Sequence, residues 1–166
     1  MFELPEVGAS LTLEDTDVIT FDLTSLGGAS LLKIAADFSI SSLGRDHQIV
    51  LTLSGDSKPG RYKSHCLRAG EGTSSTTSTS EILLGYVGWQ LDAEMAIEFT
   101  LSLLPGRQRN CYCIGATAHD SNLHQQYTLQ SSGAYLDKTA PITQMTLALQ
   151  NGGHITRAQF VLIYLV

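Results

Sequence analysis

The stretch that decides the fold is Met95-Ala96-Ile97-Glu98-Phe99-Thr100-Leu101-Ser102-Leu103, in which every second residue is apolar. This period of two is typical of a half-buried β-strand, because successive side chains of a strand point to opposite faces of the sheet. Pro105-Gly106 follows as a turn, and residues 111–117 resume the pattern. The two segments therefore predict an antiparallel hairpin.

Strand-like segments recur on both sides of this hairpin, at 19–23, 32–40, 49–53, 145–149 and 158–166. Gly27-Gly28 predicts a hairpin between the first two, and Asn151-Gly152-Gly153 predicts another between the last two. The Ser/Thr-rich residues 71–80 predict a surface loop. About nine short strands without a convincing amphipathic helix favour an all-β fold, a jelly-roll-like antiparallel β-sandwich.

A chain of 166 residues is the size of one domain. We expect residues 18–166 to form the sandwich and residues 1–17 to form a short acidic N-terminal arm. The arm is either solvated or lies on a basic partner surface. The residues predicted to attach it to a partner are Phe2, Glu3, Leu4, Glu6, Glu14, Asp15 and Asp17.

Composition excludes several classes of protein. Hydrophobic residues make up 43% of the chain and charged residues 16%, which is enough apolar material for a packed core. The formal net charge of −6 disfavours nucleic-acid binding, which depends on Lys and Arg displacing counterions from phosphates. The sequence contains no membrane-spanning run and no signal peptide, so we expect synthesis in the cytoplasm and no membrane association.

The sequence contains no motif that is typical of an enzyme. The sequence lacks a nucleophile elbow, a phosphate-binding loop, a zinc-protease helix and a dinucleotide-binding glycine fingerprint, so we expect no catalytic, cofactor or metal site. Cys66, Cys111 and Cys113 have no disulfide or zinc spacing, and they are predicted to be buried free thiols.

A sugar-binding site is the alternative, because β-sandwiches commonly bind sugars through exposed aromatic rings next to polar groups. Its candidate residues are Trp89, Tyr112, His119 and Asp120. Trp89 is equally compatible with a place in the core or in an interface, because glycines flank it. His119 and Asp120 are equally compatible with an ordinary polar surface loop.

The last strand, 160–166, is apolar on both faces. Such a strand is either central and covered on both sides, or buried against another subunit. Symmetric association would cover the second face, and we expect a homotrimer. The predicted interface residues are Phe160, Leu162, Tyr164 and Val166.

Two stretches carry a resemblance to a known group of proteins. The first is 49–57, an alternating strand ending in Ser54-Gly55-Asp56, followed by Arg61-Tyr62. The second is the strand 140–149, the glycine turn 151–155 and the strand 160–166. In this order they resemble jelly-roll virion proteins of tailed bacteriophages, which occur as tail-fibre head modules and as small stand-alone decoration or accessory proteins.

The resemblance implies a structural protein at the virion surface, often trimeric and without catalytic residues. Because few residues precede the first clear strand, we favour a capsid decoration (cement) protein or a tail accessory protein, bound to a major capsid or tail protein. The alternative is a receptor-binding or glycan-binding module of a tail fibre, with host-surface glycans as partners.

Overall fold

The computed structural model describes residues 1–26, 29–41, 47–70, 73–87, 92–119 and 126–165. Within these ranges most residues lie in β-strands, and two sheets pack face to face around the main apolar core. The predicted fold class, an all-β jelly-roll-like sandwich, is confirmed. Among the described residues, no helix is long and apolar enough to cross a membrane.

The strands are numbered along the chain as β1 (Phe2–Glu3), β2 (Ser10–Glu14), β3 (Val18–Asp22), β4 (Leu31–Ser41), β5 (His47–Leu53), β6 (Tyr62–Ala69), β7 (Thr73–Ser78), β8 (Ile82–Val87), β9 (Asp92–Ser102), β10 (Arg109–His119), β11 (Gln126–Tyr135), β12 (Gln144–Leu149) and β13 (His154–Leu165). A 3-10 turn, Thr24–Leu26, lies between β3 and β4.

The small sheet has the order β1-β3-β12-β5-β8, and the large sheet has the order β2-β13-β4-β9-β10-β11-β6-β7. All neighbours are antiparallel except β1 and β3. The predicted hairpin after Met95–Leu103 is confirmed, because β9 and β10 pair with Phe99 opposite Cys113.

The two hairpins predicted at glycine turns are wrong. β3 lies in the small sheet and β4 in the large sheet, and β12 and β13 are separated in the same way. Asn151 and Gly152 have positive φ values of 69° and 77°, which Asn and Gly tolerate best, but this turn carries the chain from one sheet to the other. Alternation shows only that a strand has one apolar face. It does not distinguish a neighbour in the same sheet from a strand facing it across the core.

The prediction that Phe160 and Leu162 form a subunit interface is also wrong. Both are buried inside the monomer, where the Phe160 ring packs edge-on against Phe21 of the small sheet, with centroids 5.1 Å apart. Towards the end of β13 the outward positions are Val161 and Ile163, and they are half-buried. Tyr164 belongs to β13 by its backbone, and Val166 lies outside the described residues.

The acidic leader is not a separate arm. β1 pairs with β3 at one edge of the small sheet, and β2 pairs with β13 at one edge of the large sheet. Between these strands, the Gly8 amide donates to the carbonyl of Leu162 over 2.8 Å. The boundary predicted between residues 17 and 18 is therefore wrong, because residues on both sides of it belong to the same sandwich.

The Ser/Thr-rich segment forms β7, which pairs with β6 at the other edge of the large sheet, so the loop predicted there is wrong for 73–78. Thr tolerates the extended backbone well, and a short edge strand needs no apolar face. Cys66, Cys111 and Cys113 are buried free thiols, as predicted, and burial raises the pKa of Cys111 to about 12.

The polar turn that follows β5 is held by two tyrosines. The Tyr62 hydroxyl accepts a hydrogen bond from the Leu53 amide over 2.9 Å and donates to the Asp56 carbonyl over 2.6 Å. The Tyr135 hydroxyl donates to the Asp56 carboxylate over 3.0 Å. Burial raises the pKa of Tyr135 to about 12, so it remains a neutral donor at physiological pH. The turn around Asp56, which belongs to the first resembling stretch, is therefore held in place by hydrogen bonds within the fold.

Candidate functional site

A groove crosses the outer face of the large sheet over four adjacent strands. Its central row is Gln159 of β13, Asp37 of β4, Ala96 of β9 and Ala116 of β10, each paired in register with the next. These residues alternate with buried neighbours, so their side chains point away from the core. The sheet order alone brings them together.

The groove has a volume of about 510 Å3. Ala96 and Ala116 are both exposed and leave its centre flat, with strand backbone close to the surface. The outward side chains that line it are Asp37, Ser39, Glu94, Ala96, Ala116, Arg157 and Gln159. The lining therefore combines a small apolar centre with hydrogen-bonding groups around it.

Two carboxylates, Asp37 and Glu94, and one guanidinium, Arg157, give the groove a formal charge of −1. Both carboxylates are exposed, and neither makes an ion pair or side-chain hydrogen bond with another described residue. Arg157 makes a long hydrogen bond of 3.5 Å to the side-chain oxygen of Gln159. The groove thus offers charged acceptors and donors that remain open to a ligand.

A second depression of about 260 Å3 adjoins the groove on the same face. It is lined by Tyr112 and Ile114, which are 47% and 43% exposed. Gln130 donates a hydrogen bond of 3.3 Å to the Tyr112 hydroxyl. The Ala116–Thr128 pair joins the two depressions, since each residue lines one of them.

Of the predicted sugar-binding residues, the structure describes the backbone positions of Tyr112 and His119 and does not bring these two together. Tyr112 and His119 lie seven residues apart on one extended strand, which is roughly 23 Å at 3.3 Å per residue. They cannot converge on one sugar ring, so that part of the prediction is wrong. Trp89 and Asp120 lie outside the described residues, as does any site built from them.

The groove residues Asp37, Arg157 and Gln159 were not among the predicted site residues. For Asp37 the available signal was its outward position on β4, whose inward positions had been predicted correctly. Arg157 and Gln159 lie on β13, whose inward residues Phe160 and Leu162 had been predicted to form an interface. Their proximity depends on β13 pairing with β4, which the alternation of apolar residues does not reveal. Among the described residues, no group of three or more His, Cys, Asp or Glu side chains could hold a metal ion.

A second polar surface lies along the edges formed by β1 and β2. Phe21 of β3 contacts Phe160 of β13 across the core, so the two edge strands beside them lie on the same side of the sandwich. The exposed acids of this side are Glu3, Glu6, Glu14, Asp15 and Asp17, hereafter the acidic flank. All belong to the predicted attachment set.

His154 closes one end of the acidic flank. Its Nδ1 lies 2.7 Å from the Asp17 carboxylate and its Nε2 lies 3.4 Å from the Asp15 carboxylate. The hydrogen bond to Asp17, followed by that to Asp15, raises the pKa of His154 above its ordinary value. The protonated ring therefore links the start of β13 to the leader.

We expect His154 to stabilise the fold more at low pH than at high pH. Because its folded pKa is raised, its contribution is complete below the unfolded pKa of about 6.5 and is lost as the pH rises through the folded pKa. The measurement is the difference in unfolding free energy between the wild type and His154→Asn, at several pH values between about 5.5 and 8.5. A difference independent of pH would contradict the ion pair.

No protein-family model and no curated protein matches the chain. Among solved structures, the chain is similar to the Ruminococcus gnavus IT-sialidase CBM40 bound to α2,6-sialyllactose, at 14% identity over 91% of each chain and a TM-score of 0.26. It also matches the Clostridium perfringens CspB protease at 14% identity, over 83% of this chain and 26% of the protease, with a TM-score of 0.20.

Proposed function

We propose that the protein is a structural component of a tailed-bacteriophage virion, displayed on the particle as a capsid decoration or tail accessory protein. The observation that carries the proposal is the C-terminal stretch that resembles such proteins. In this fold it comprises β12, the central strand of the small sheet, and β13, whose Phe160 packs against both sheets. The C-terminal stretch that carries the resemblance therefore supplies one strand to each sheet.

The acidic flank is the proposed attachment surface, and its partner is a basic surface of a capsid or tail protein. Glu3 and Glu14 lie on paired edge strands, so their positions are set before binding and little ordering entropy is lost. Glu3, Glu6 and Glu14 are the freest members, since Asp15 and Asp17 already contact His154. Charge complementarity of this kind mainly accelerates association and weakens with salt.

The first test mixes the purified chain with particles assembled without it and measures co-sedimentation by quantitative mass spectrometry. We expect saturable binding that falls as salt is raised, and weaker binding by the variant Glu3→Gln/Glu6→Gln/Glu14→Gln. The matched control is Asp37→Asn/Glu94→Gln, which removes exposed charge elsewhere on the sandwich. Failure of the wild type to bind particles would overturn the proposed function.

We also propose that the protein self-associates, but through a different surface from the one predicted from the sequence. Since Phe160 and Leu162 are buried in the monomer, a trimer contact would use outward positions of the same sheet, including Val161 and Ile163. Light scattering in solution measures the mass directly. A mass of one chain at all concentrations would remove the trimer from the proposal and leave particle binding to be judged separately.

A further inference from the structure

We propose that the groove on the outer face of the large sheet binds a neutral oligosaccharide. This site is distinct from the acidic flank and does not depend on particle attachment. It also differs from the set predicted around Trp89 and His119, sharing only the adjoining Tyr112. The proposal rests on the shape, the hydrogen-bonding groups and the charge of the groove.

The shape suits a flat and extended ligand. Exposed Ala96 and Ala116 leave strand backbone near the surface, so the face of a sugar ring can approach closely. The groove continues into the depression at Tyr112. From β13 to β6 the face crosses five strand spacings, roughly 24 Å at 4.8 Å each. This length fits several linked sugars rather than one.

The polar groups suit hydroxyls, which both donate and accept hydrogen bonds. Asp37 and Glu94 accept, Arg157 donates, and the amide of Gln159 does both. Carboxylate acceptors make stronger hydrogen bonds than neutral groups, so these two acids are expected to contribute most to the polar contacts. Tyr112 provides an exposed ring on which a sugar face can stack, and the hydrogen bond from Gln130 helps to orient it.

The charge selects neutral sugars over acidic ones. The groove carries two carboxylates against one guanidinium. Of the flanking charged side chains, Glu98 is already paired with Lys33 at 2.5 Å, and exposed Glu14 lies opposite Arg157 in the ladder. A sialic acid, uronic acid or sulfate group would therefore meet net negative charge. The expected ligand is built from neutral hexoses or N-acetylhexosamines.

The test is an array of defined oligosaccharides of four to six sugars, followed by calorimetry with the neutral oligosaccharide that binds best. Neutral hexose and N-acetylhexosamine oligomers form one set, and sialyllactose, oligogalacturonate and a heparin hexasaccharide form the acidic set. We expect binding within the neutral set only. Binding confined to the acidic set, or no binding to any glycan, would overturn the proposal.

Variants then locate the site. Ala116→Leu should abolish detectable binding because its side chain fills the flat centre, whereas Val18→Leu should bind normally. Val18 is the control, since it is 55% exposed on β3 of the small sheet, away from the outer face of the large sheet. Asp37→Asn/Glu94→Gln should weaken binding about tenfold, equivalent to 1.4 kcal/mol. Wild-type affinity in Ala116→Leu would overturn the assignment. Particle binding by the same variants separates this outcome from failure of the proposed function.

Discussion

Phe160→Ala is expected to lower the free energy of unfolding by about 3–5 kcal/mol, the cost typical of truncating a buried aromatic side chain. The Phe160 side chain is 0% exposed, and its ring packs edge-on against Phe21 at 5.1 Å and Phe38 at 5.6 Å. The substitution therefore leaves a cavity between the sheets and removes two favourable aromatic contacts. Urea unfolding monitored by circular dichroism measures the loss.

The neighbouring substitution Val161→Ala is the matched control, because Val161 points outward from the same strand and is half-buried. We expect it to cost less than about 1 kcal/mol, since little core packing is lost. Comparing the two variants shows whether the Phe160 side chain stabilises the core of the monomer or a contact between subunits. If Phe160→Ala left stability unchanged but altered the solution mass, the side chain would be acting between subunits, as the sequence alone had suggested.

The faces of the strands were predictable because local alternation determines them. Leu32, Ile34, Phe38 and Ile40 were placed on one face of a strand, and the structure buries all of them. The pairing of β9 with β10 was also predictable, because a short turn joins two amphipathic segments. These inferences need only neighbouring residues, which is why they succeeded.

Sheet membership was not predictable, because it depends on contacts between distant segments. The glycine turn at Asn151–Gly153 has the composition of a hairpin turn, yet it sends β13 to the other sheet. The groove depends on the same long-range pairing, since Arg157 meets Ser39 and Glu94 only through β4. A site assembled across four strands therefore remains hidden until the strand order is known.

The alternation of residues 10–14 indicates a strand, although the many acids of residues 1–17 favoured a solvated arm. Ser10-Leu11-Thr12-Leu13-Glu14 alternates as a strand does, and Leu11 and Leu13 pack against the core in the structure. Counting acids alone favoured a solvated arm or a flexible attachment segment. The alternation gives the correct structure for residues 10–14, and Glu14 then occupies an outward position of the edge strand β2.

Deleting residues 1–17 is expected to destabilise the sandwich by on the order of 3 kcal/mol, because apolar packing is lost while the chain regains only part of that free energy as conformational entropy. Four partly buried side chains of the leader pack against the core: Phe2, Leu4, Leu11 and Leu13. The deletion also leaves one edge of β13 unpaired, which favours association through that edge. Urea unfolding and gel filtration measure the two effects.

The triple variant Glu3→Gln/Glu6→Gln/Glu14→Gln is the control for this deletion, because it removes charge from exposed positions and keeps both edge strands. We expect near wild-type stability and weaker particle binding. The deletion alone cannot test attachment, since loss of binding would follow from a damaged fold. A deleted chain that unfolds like the wild type and stays monodisperse would contradict the pairing of β1 and β2 with the sheets. In that case the leader would again be a separable arm.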